Sequence, residues 1–426
     1  MTSGTSRGLG RPFWLLFTGE SASALGTAAS LIALPVVALR TTGDLRQAGL
    51  VSTVLAIGVI AARLPAGVLA DRYSRRSLLR AGNLTGAVVL AAFALLLLKD
   101  AVTLPVLLAT AVLLGATGST LAPAENVAVR SYVHPELRPK ALGLIQIRAA
   151  VAMIAGPLAG GALLAVDAHW VFAADAATYA AAVLCMTLLP AVGPHQEPAE
   201  EEERSSPVRA ATEGIRFIWR QPFLRYAALN ATVLNLVFNG LLIVIVSTAG
   251  AGGSALDVGA QVAALGGGAL VGSLLAAPVA QRLTPGTGIG AGTGVVALCL
   301  VGFAVFREPW AALPLIALAA AAGPVITVVV SAAEMRITPP ELQGRVHSGV
   351  GFLAQAIAPA GPALAGLSVH ALGLPATLNI AAAVVLALAV LGGVVTVRHA
   401  RSGQTSLGAE PDAPEEAEEP AATRHG

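Results

Sequence analysis

Charge is scarce in this sequence. Asp, Glu, Lys and Arg together make up 12% of its 426 residues, while hydrophobic residues make up 55%, a balance that excludes an ordinary soluble globular chain. Cysteine is scarcer still: Cys185 and Cys299 both fall inside apolar runs, which excludes a disulfide framework or a cysteine-based metal cluster. There is no glycine-rich loop ending in lysine, no zinc-ligand spacing and no nucleophile triad, so the chemistry of an ATPase or a membrane hydrolase is missing. The expectation is a membrane protein that is not an enzyme, holds no cofactor or metal, and has no nucleic-acid partner.

What is present is a series of long apolar runs, each of roughly the 20 residues a helix needs to cross a hydrocarbon core about 30 Å thick. Spans are expected near 13–39, 46–70, 77–98, 103–127, 140–166, 169–191, 223–248, 256–281, 286–306, 310–337, 344–369 and 372–398. An even count puts both termini on one side. With that side cytoplasmic, the short inner segments hold fourteen Lys and Arg, and the outer ones hold Arg40, Arg46, Lys99 and Arg307. Basic loops resist translocation, so both termini are expected in the cytoplasm of a protein of the cell membrane. The first run is too long for a cleavable signal peptide and lacks a convincing cleavage site, so Met1 is expected to stay.

The chain also repeats itself. PELRPKALGL at 135–144 matches PELQGRVHSG at 340–349, and GPLAGG at 156–161 matches GPALAG at 361–366, both 205 positions apart. A looser match sets AGVLADR at 66–72 over APVAQRL at 277–283, an offset of 211 that loops tolerate. The expected organisation is a six-helix bundle over 1–194, a linker over 195–221, a second six-helix bundle over 222–398 and an acidic tail over 399–426. HQEPAEEEERSSP, residues 195–207, is too charged to pack a core and reads as disordered. VRAATEGIRFIWRQ, residues 208–221, alternates apolar and basic residues at helical spacing, as an amphipathic helix on the inner membrane surface does.

The stretch GVLADRYSRRSLLR, residues 67–80, packs one aspartate and four arginines between two apolar runs. In a chain of two repeated six-helix halves, it closely resembles the signature between helices 2 and 3 of the major facilitator superfamily, with Ser74 in place of the second glycine. Gly67 would let helix 2 approach a neighbour closely, and Asp71 would accept hydrogen bonds at an adjoining helix start. The resemblance implies that this loop, with Asp71, Arg72, Arg75 and Arg76, latches the halves on the cytoplasmic side when the transporter faces outward. A simple topogenic arginine cluster would explain the arginines but leaves Gly67 and Asp71 unexplained. Gln281 stands where Asp71 stands in the first half, so the second copy lacks the charge.

GPLAGG, with Gly156, Pro157, Gly160 and Gly161, is similar to that family's antiporter motif in helix 5. Its proline removes one backbone hydrogen bond and its glycines permit close packing, so a kink or a pliant interface between halves is expected there. FTGESASALGTAASLIALPVVAL, ADAATYAAAVL, EGIRFIWRQPFLR and ELQGRV extend the resemblance to the macrolide-efflux-like branch of drug/proton antiporters. That branch includes exporters of macrolides, siderophores and some lipids.

Ionisable residues inside spans persist where they face a cavity or have a partner. Glu20 lies about seven residues into helix 1, roughly 10 Å from its inner end at 1.5 Å per residue. Two uses fit it: a proton carrier or cation-binding carboxylate, or a fixed bond to a neighbour. Arg63 and Arg148 sit within snorkelling reach of the inner interface, with Glu125 a partner for one of them. Asp175 reads as a structural hydrogen-bonding group two turns into helix 6. Asn235 and Asn239, four apart, share a face of helix 7 and are offered to a ligand or another helix. Asn230, Gln355 and Asn379 are less readable.

The sequence reading is therefore an all-α integral membrane protein with 12 transmembrane helices in two pseudo-symmetric six-helix bundles. It is expected to act as a monomer among membrane lipid, exporting amphiphilic small molecules by alternating access and using a proton gradient in place of a cofactor. An uptake symporter, a lipid or lysophospholipid flippase and a non-transporting receptor or scaffold are the alternatives.

Overall fold

The computed structural model describes residues 8–190, 207–250, 253–306 and 308–401. The linker stretch up to 206 and the acidic tail from 402 lie outside them, as do the surroundings of Gly67 and the side chains of Arg63, Asp71, Arg72 and Arg75. The first half consists of α1 (Gly10–Thr42), α2 (Leu45–Arg72), α3 (Arg75–Leu98), α4 (Leu104–Tyr132), α5 (Arg138–Val166) and α6 (Ala168–Thr187). A short α7 (Pro207–Arg220) precedes the second half. That half consists of α8 (Pro222–Gly250), α9 (Ala255–Ala280), α10 (Pro285–Val305), α11 (Pro309–Ile337), α12 (Gln343–Ala356), α13 (Gly361–Leu372) and α14 (Leu374–Arg401).

Among the described residues, twelve helical segments are long and apolar enough to cross a membrane, α12 and α13 forming one of them. A spanning chain must satisfy its backbone internally, and helices do this everywhere except at their ends. Those ends carry recognisable caps. Ser74 accepts from the Ser77 amide to start α3, and Ser254 and Asp257 form a capping box on α9. Gly43, in the left-handed region at φ 66°, closes α1.

Helices alternate in direction, so the turns after α1, α3, α5, α8, α10 and α13 gather on one face, called distal here. The described termini lie on the opposite, terminal face. The halves are built alike: α2 packs on α4 and α3 on α6, as α9 packs on α11 and α10 on α14. Both PEL repeats form a single 3₁₀ turn before the following helix, at Pro135–Leu137 and Pro340–Leu342.

Two elements differ from the sequence expectation. The span expected as one helix over 344–369 is broken, with a 3₁₀ turn at Ala358–Ala360 between α12 and α13. Pro359 and Pro362 have no N–H to donate, so the helical ladder loses two bonds within one turn there. The equivalent α5 holds one interior proline, Pro157, and runs through it unbroken. The second is α7, part of whose apolar side packs on protein while Trp219 stays 49% exposed, free to meet the membrane surface. Ile218 is fully buried against Val346 and Val350 of α12 and Leu224 and Ala228 of α8. Arg345 pairs with Glu213, fastening α7 to the start of α12.

Candidate functional site

Glu20 is 6% exposed and lies inside the first half, where Asn83 of α3 donates to its Oε1 at 2.9 Å. The same amide nitrogen donates to the Leu79 carbonyl at 2.9 Å, which fixes the ring of contacts on α3. Asn83 Oδ1 is buried and has no partner. A protonated Glu20 keeps a carbonyl oxygen, so Asn83 can go on donating to it without giving up its bond to the Leu79 carbonyl, and the one amide serves both charge states. That two-state partnership suits a carboxylate that gains and loses a proton without unfolding its surroundings.

Glu125 and Arg148 sit within Coulomb range of Glu20. They form a two-pronged ion pair, Arg148 donating to the two carboxylate oxygens at 2.5 and 2.7 Å, with both side chains largely buried. The carboxylate is thus held by Arg148, while the Arg63 side chain lies outside the described residues.

Asp175 of α6 is 1% exposed. Ser30 of α1 donates to its Oδ2 at 2.6 Å, and Thr178 donates to its Oδ1 at 3.2 Å. One turn along α6, Thr27 donates to the Tyr179 phenol oxygen at 3.0 Å, and Ser23 lies against the same phenol. Ser23, Thr27, Ser30, Asn83 and Tyr179 were not singled out in the sequence. The signal was present in part, since positions 20, 23, 27 and 30 follow the three-and-four spacing of one helical face.

The second half repeats the α1–α3 bond in neutral form. Asn230 of α8 donates to Thr293 Oγ1 of α10 at 2.9 Å, 63 residues along the chain, the same separation as Glu20 and Asn83. Asn235 and Asn239 turn back on their own helix, donating to the carbonyls of Ala231 and Asn235 at 2.8 Å. Gln355, just before the break in α12–α13, donates to Asn235 Oδ1 at 3.5 Å. The break therefore brings three amides together with free hydrogen-bonding capacity beside unwound backbone, an arrangement suited to polar groups of a ligand. Buried Glu334, facing His347 at 3.4 Å, is a further carboxylate that the sequence reading passed over.

The antiporter-like motif lies between two neighbours. Gly160 meets Ala29 of α1, and Gly161 packs so closely on α9 that a Cβ there would sit 2.7 Å from the Ala255 oxygen and 3.1 Å from Gly259 Cα. Gly156 faces Ala28 and Leu25 of α1, and the Pro157 carbonyl abuts Gly259. On the other side of the molecule, the Ala363 N–H at the start of α13 donates to Thr53 of α2 at 3.0 Å. These approaches between halves lie in the distal part of the helices. Arg76 points away from the second half, donating from Nε to the Met186 carbonyl at 3.2 Å and from its terminal nitrogen to Thr187 O, which caps the end of α6. In this conformation the halves join distally, and Arg76 serves its own half.

A family model described as Major Facilitator Superfamily matches residues 16–358 of this architecture. The chain belongs to the major facilitator superfamily. Consistent with that membership, it is a multi-pass membrane transporter and not an enzyme. It is similar to the multidrug efflux pump Tap of Mycobacterium tuberculosis, 28% identical over 393 residues that cover 86% of this chain and 89% of that one. It is also similar to the class C tetracycline resistance protein of Escherichia coli, 30% identical over 262 residues covering 60% and 63%. The nucleoside transporter NupG has the same fold, with a TM-score of 0.71 at 13% identity, covering 91% of this chain and 99% of that one.

Proposed function

We propose that this protein exports amphiphilic small molecules, of the drug, macrolide or siderophore kind, in exchange for protons. The observation that carries the reading is Glu20, a buried carboxylate held by an amide that can serve both its charge states, in a chain similar to the multidrug efflux pump Tap. Asn235, Asn239 and Gln355 at the broken helix supply polar contacts to substrate. The two halves rock about this centre, with the α5–α9 seam at Gly161 and Gly259 as the distal contact. Asp71, Arg72 and Arg75 would close the terminal face when the distal one opens. The excess of Lys and Arg supports a terminal face in the cytoplasm of the cell membrane, and the protein works as a monomer with no cofactor beyond the ion gradient.

A second reading is favoured by one feature. An apolar cavity of about 210 Å³ between α8, α10, α13 and α14, lined by Val233, Val237, Leu241, Ile380 and Val384 among others, would take an acyl chain, as a lipid flippase requires.

The test is uptake of a panel of macrolides and lipophilic cations into energised inverted vesicles, with wild type and Glu20→Gln compared and the proton gradient then collapsed. Gradient-dependent uptake that is lost in Glu20→Gln is the expected result. Transport that survives the substitution removes Glu20 from coupling. A failure of every panel member, together with competition by lysophospholipid, transfers the function to lipid.

A further inference from the structure

The two halves differ most along the seam between their first and sixth helices. In the first half this seam is polar and closed: Ser23, Thr27 and Ser30 of α1 face Asp175, Thr178 and Tyr179 of α6. The symmetric positions in the second half follow from two anchors, Glu20–Asn83 over Asn230–Thr293 for the first helix and GPLAGG over GPALAG for the later ones. They are Val233, Val237 and Gly240 on α8, facing Ile380 and Val384 on α14, and they line the apolar cavity of about 210 Å³. At the matching places the second half is apolar and open, with Ile380 and Val384 exposed, so a closed polar seam is particular to the first half. Burying hydroxyls and a carboxylate is costly in hydrocarbon, and confining them to one half points to a use beyond packing.

Their order along the seam is that of a relay. Asp175 stands at the distal end, bonded to Ser30 and Thr178. Tyr179 follows one turn later, its phenol bonded to Thr27 at 3.0 Å and lying against Ser23. Ser23 is one turn from Glu20 on the same face of α1. From Ser30 to Glu20 the path covers ten residues, about 15 Å at 1.5 Å per residue. Ser23, Ser30, Asp175, Tyr179 and Glu20 are all buried. The other charged groups at this seam face only its Glu20 end, where Glu125 of α4 and Arg148 of α5 lie. One turn beyond Asp175, fully buried Phe172 packs edge-on against Phe93 with ring centroids 4.7 Å apart.

We propose that Asp175 is a second proton-carrying carboxylate, and that it exchanges protons with Glu20 along the buried hydroxyls between α1 and α6. Only O–H bonds change. The acid proton leaves Asp175, each hydroxyl on the path accepts one proton and releases its own after its side chain rotates to reach the next group, and one proton arrives on a Glu20 oxygen. The rotation is needed because Ser30 and Thr27, and Ser23 and Glu20, stand one turn apart and are not bonded in this conformation. No oxidant, reductant or metal takes part. The inference rests on the proton-coupled reading above and deepens it by naming where a proton waits on the distal side of Glu20.

The test reads protonation directly. Full-length protein in lipid is titrated between roughly pH 5 and pH 9 while the infrared carbonyl band of protonated carboxylic acids is followed. Wild type is expected to show two titrating buried bands, of which Asp175→Asn removes one and Glu20→Gln the other. After a pH jump, Tyr179→Phe is expected to keep both bands while protonation at Glu20 slows by about tenfold or more. Thr27→Val repeats that test with less change of packing. A spectrum unaltered by Asp175→Asn overturns the second site, and an unaltered rate in both relay variants overturns the path. Because the bands are read without substrate, a failure of vesicle transport would overturn the coupling reading while leaving these outcomes readable.

Discussion

Asn83 donates to Glu20 at 2.9 Å across 63 residues of chain, and 210 positions further on Asn230 donates to Thr293 at the same 2.9 Å across the same 63 residues. Duplication preserved the bond between the first and third helices of each half and made its chemistry unequal. One copy holds a group able to carry charge, and the other holds a neutral pair. The expected consequence is that Asn230→Ala costs about 1–3 kcal/mol of stability, because it leaves the buried Thr293 hydroxyl without its partner, and leaves the proton dependence of transport intact. Thermal unfolding in detergent and gradient-dependent flux, measured on the same variant, check both halves of the statement.

The Glu125–Arg148 pair predicts a different asymmetry. Removing Arg148 leaves a largely buried carboxylate without its counter-charge, so Arg148→Ala is expected to destabilise the first half by about 3–5 kcal/mol. Replacing both members, Glu125→Gln with Arg148→Met, restores much of that loss. A double-mutant cycle on unfolding free energies measures it; a single substitution as mild as the double one would show that the pair is solvated in the membrane.

At the α5–α9 seam, Gly161→Val introduces carbon where a Cβ already meets the Ala255 oxygen at 2.7 Å. The neighbour there is backbone, which cannot rotate away. Transport is expected to fall by about tenfold or more, and spin labels placed on the distal ends of α5 and α9 should move apart. Unchanged label distances would remove this glycine from the contact between halves.

The distal turn between α1 and α2 carries a local acid-sensitive contact. Hydrogen bonds from the Arg46 guanidinium, at 2.7 to 3.1 Å, hold the Asp44 carboxyl down to about 2, against 3.8 for an ordinary aspartate. A depressed carboxylate stabilises the fold above its unfolded value and loses that contribution as pH falls toward the folded one. The melting-temperature difference between wild type and Asp44→Asn should be small at neutral pH, because the pair is exposed, and should narrow as pH falls from about 4 toward about 2. A difference that is constant over that range would contradict the assignment.

Much of the architecture was legible in the sequence. Helix number and placement follow from run length against bilayer thickness, and duplication follows from two matches at one spacing. The opening signature was legible as a motif, yet Arg76 shows what a motif leaves open, since here it caps α6 instead of reaching the other half. Glu20 was legible as an isolated charge in an apolar run. Its partner was not, because Asn83 sits on another helix and nothing in its own neighbourhood marks it.

Composition and local patterning alone determined that this chain spans a membrane twelve times in two related halves, because hydrophobic length and backbone satisfaction are properties of each segment taken by itself. Only the tertiary structure decided that Glu125 pairs with Arg148, that α7 docks on α12, that the eleventh span breaks at Pro359, and that Ser30 of α1 meets Asp175 of α6. Those facts depend on which faces of separate helices come together. That choice is made by packing over the whole bundle, where groups distant in sequence must satisfy one another because lipid offers them no partner.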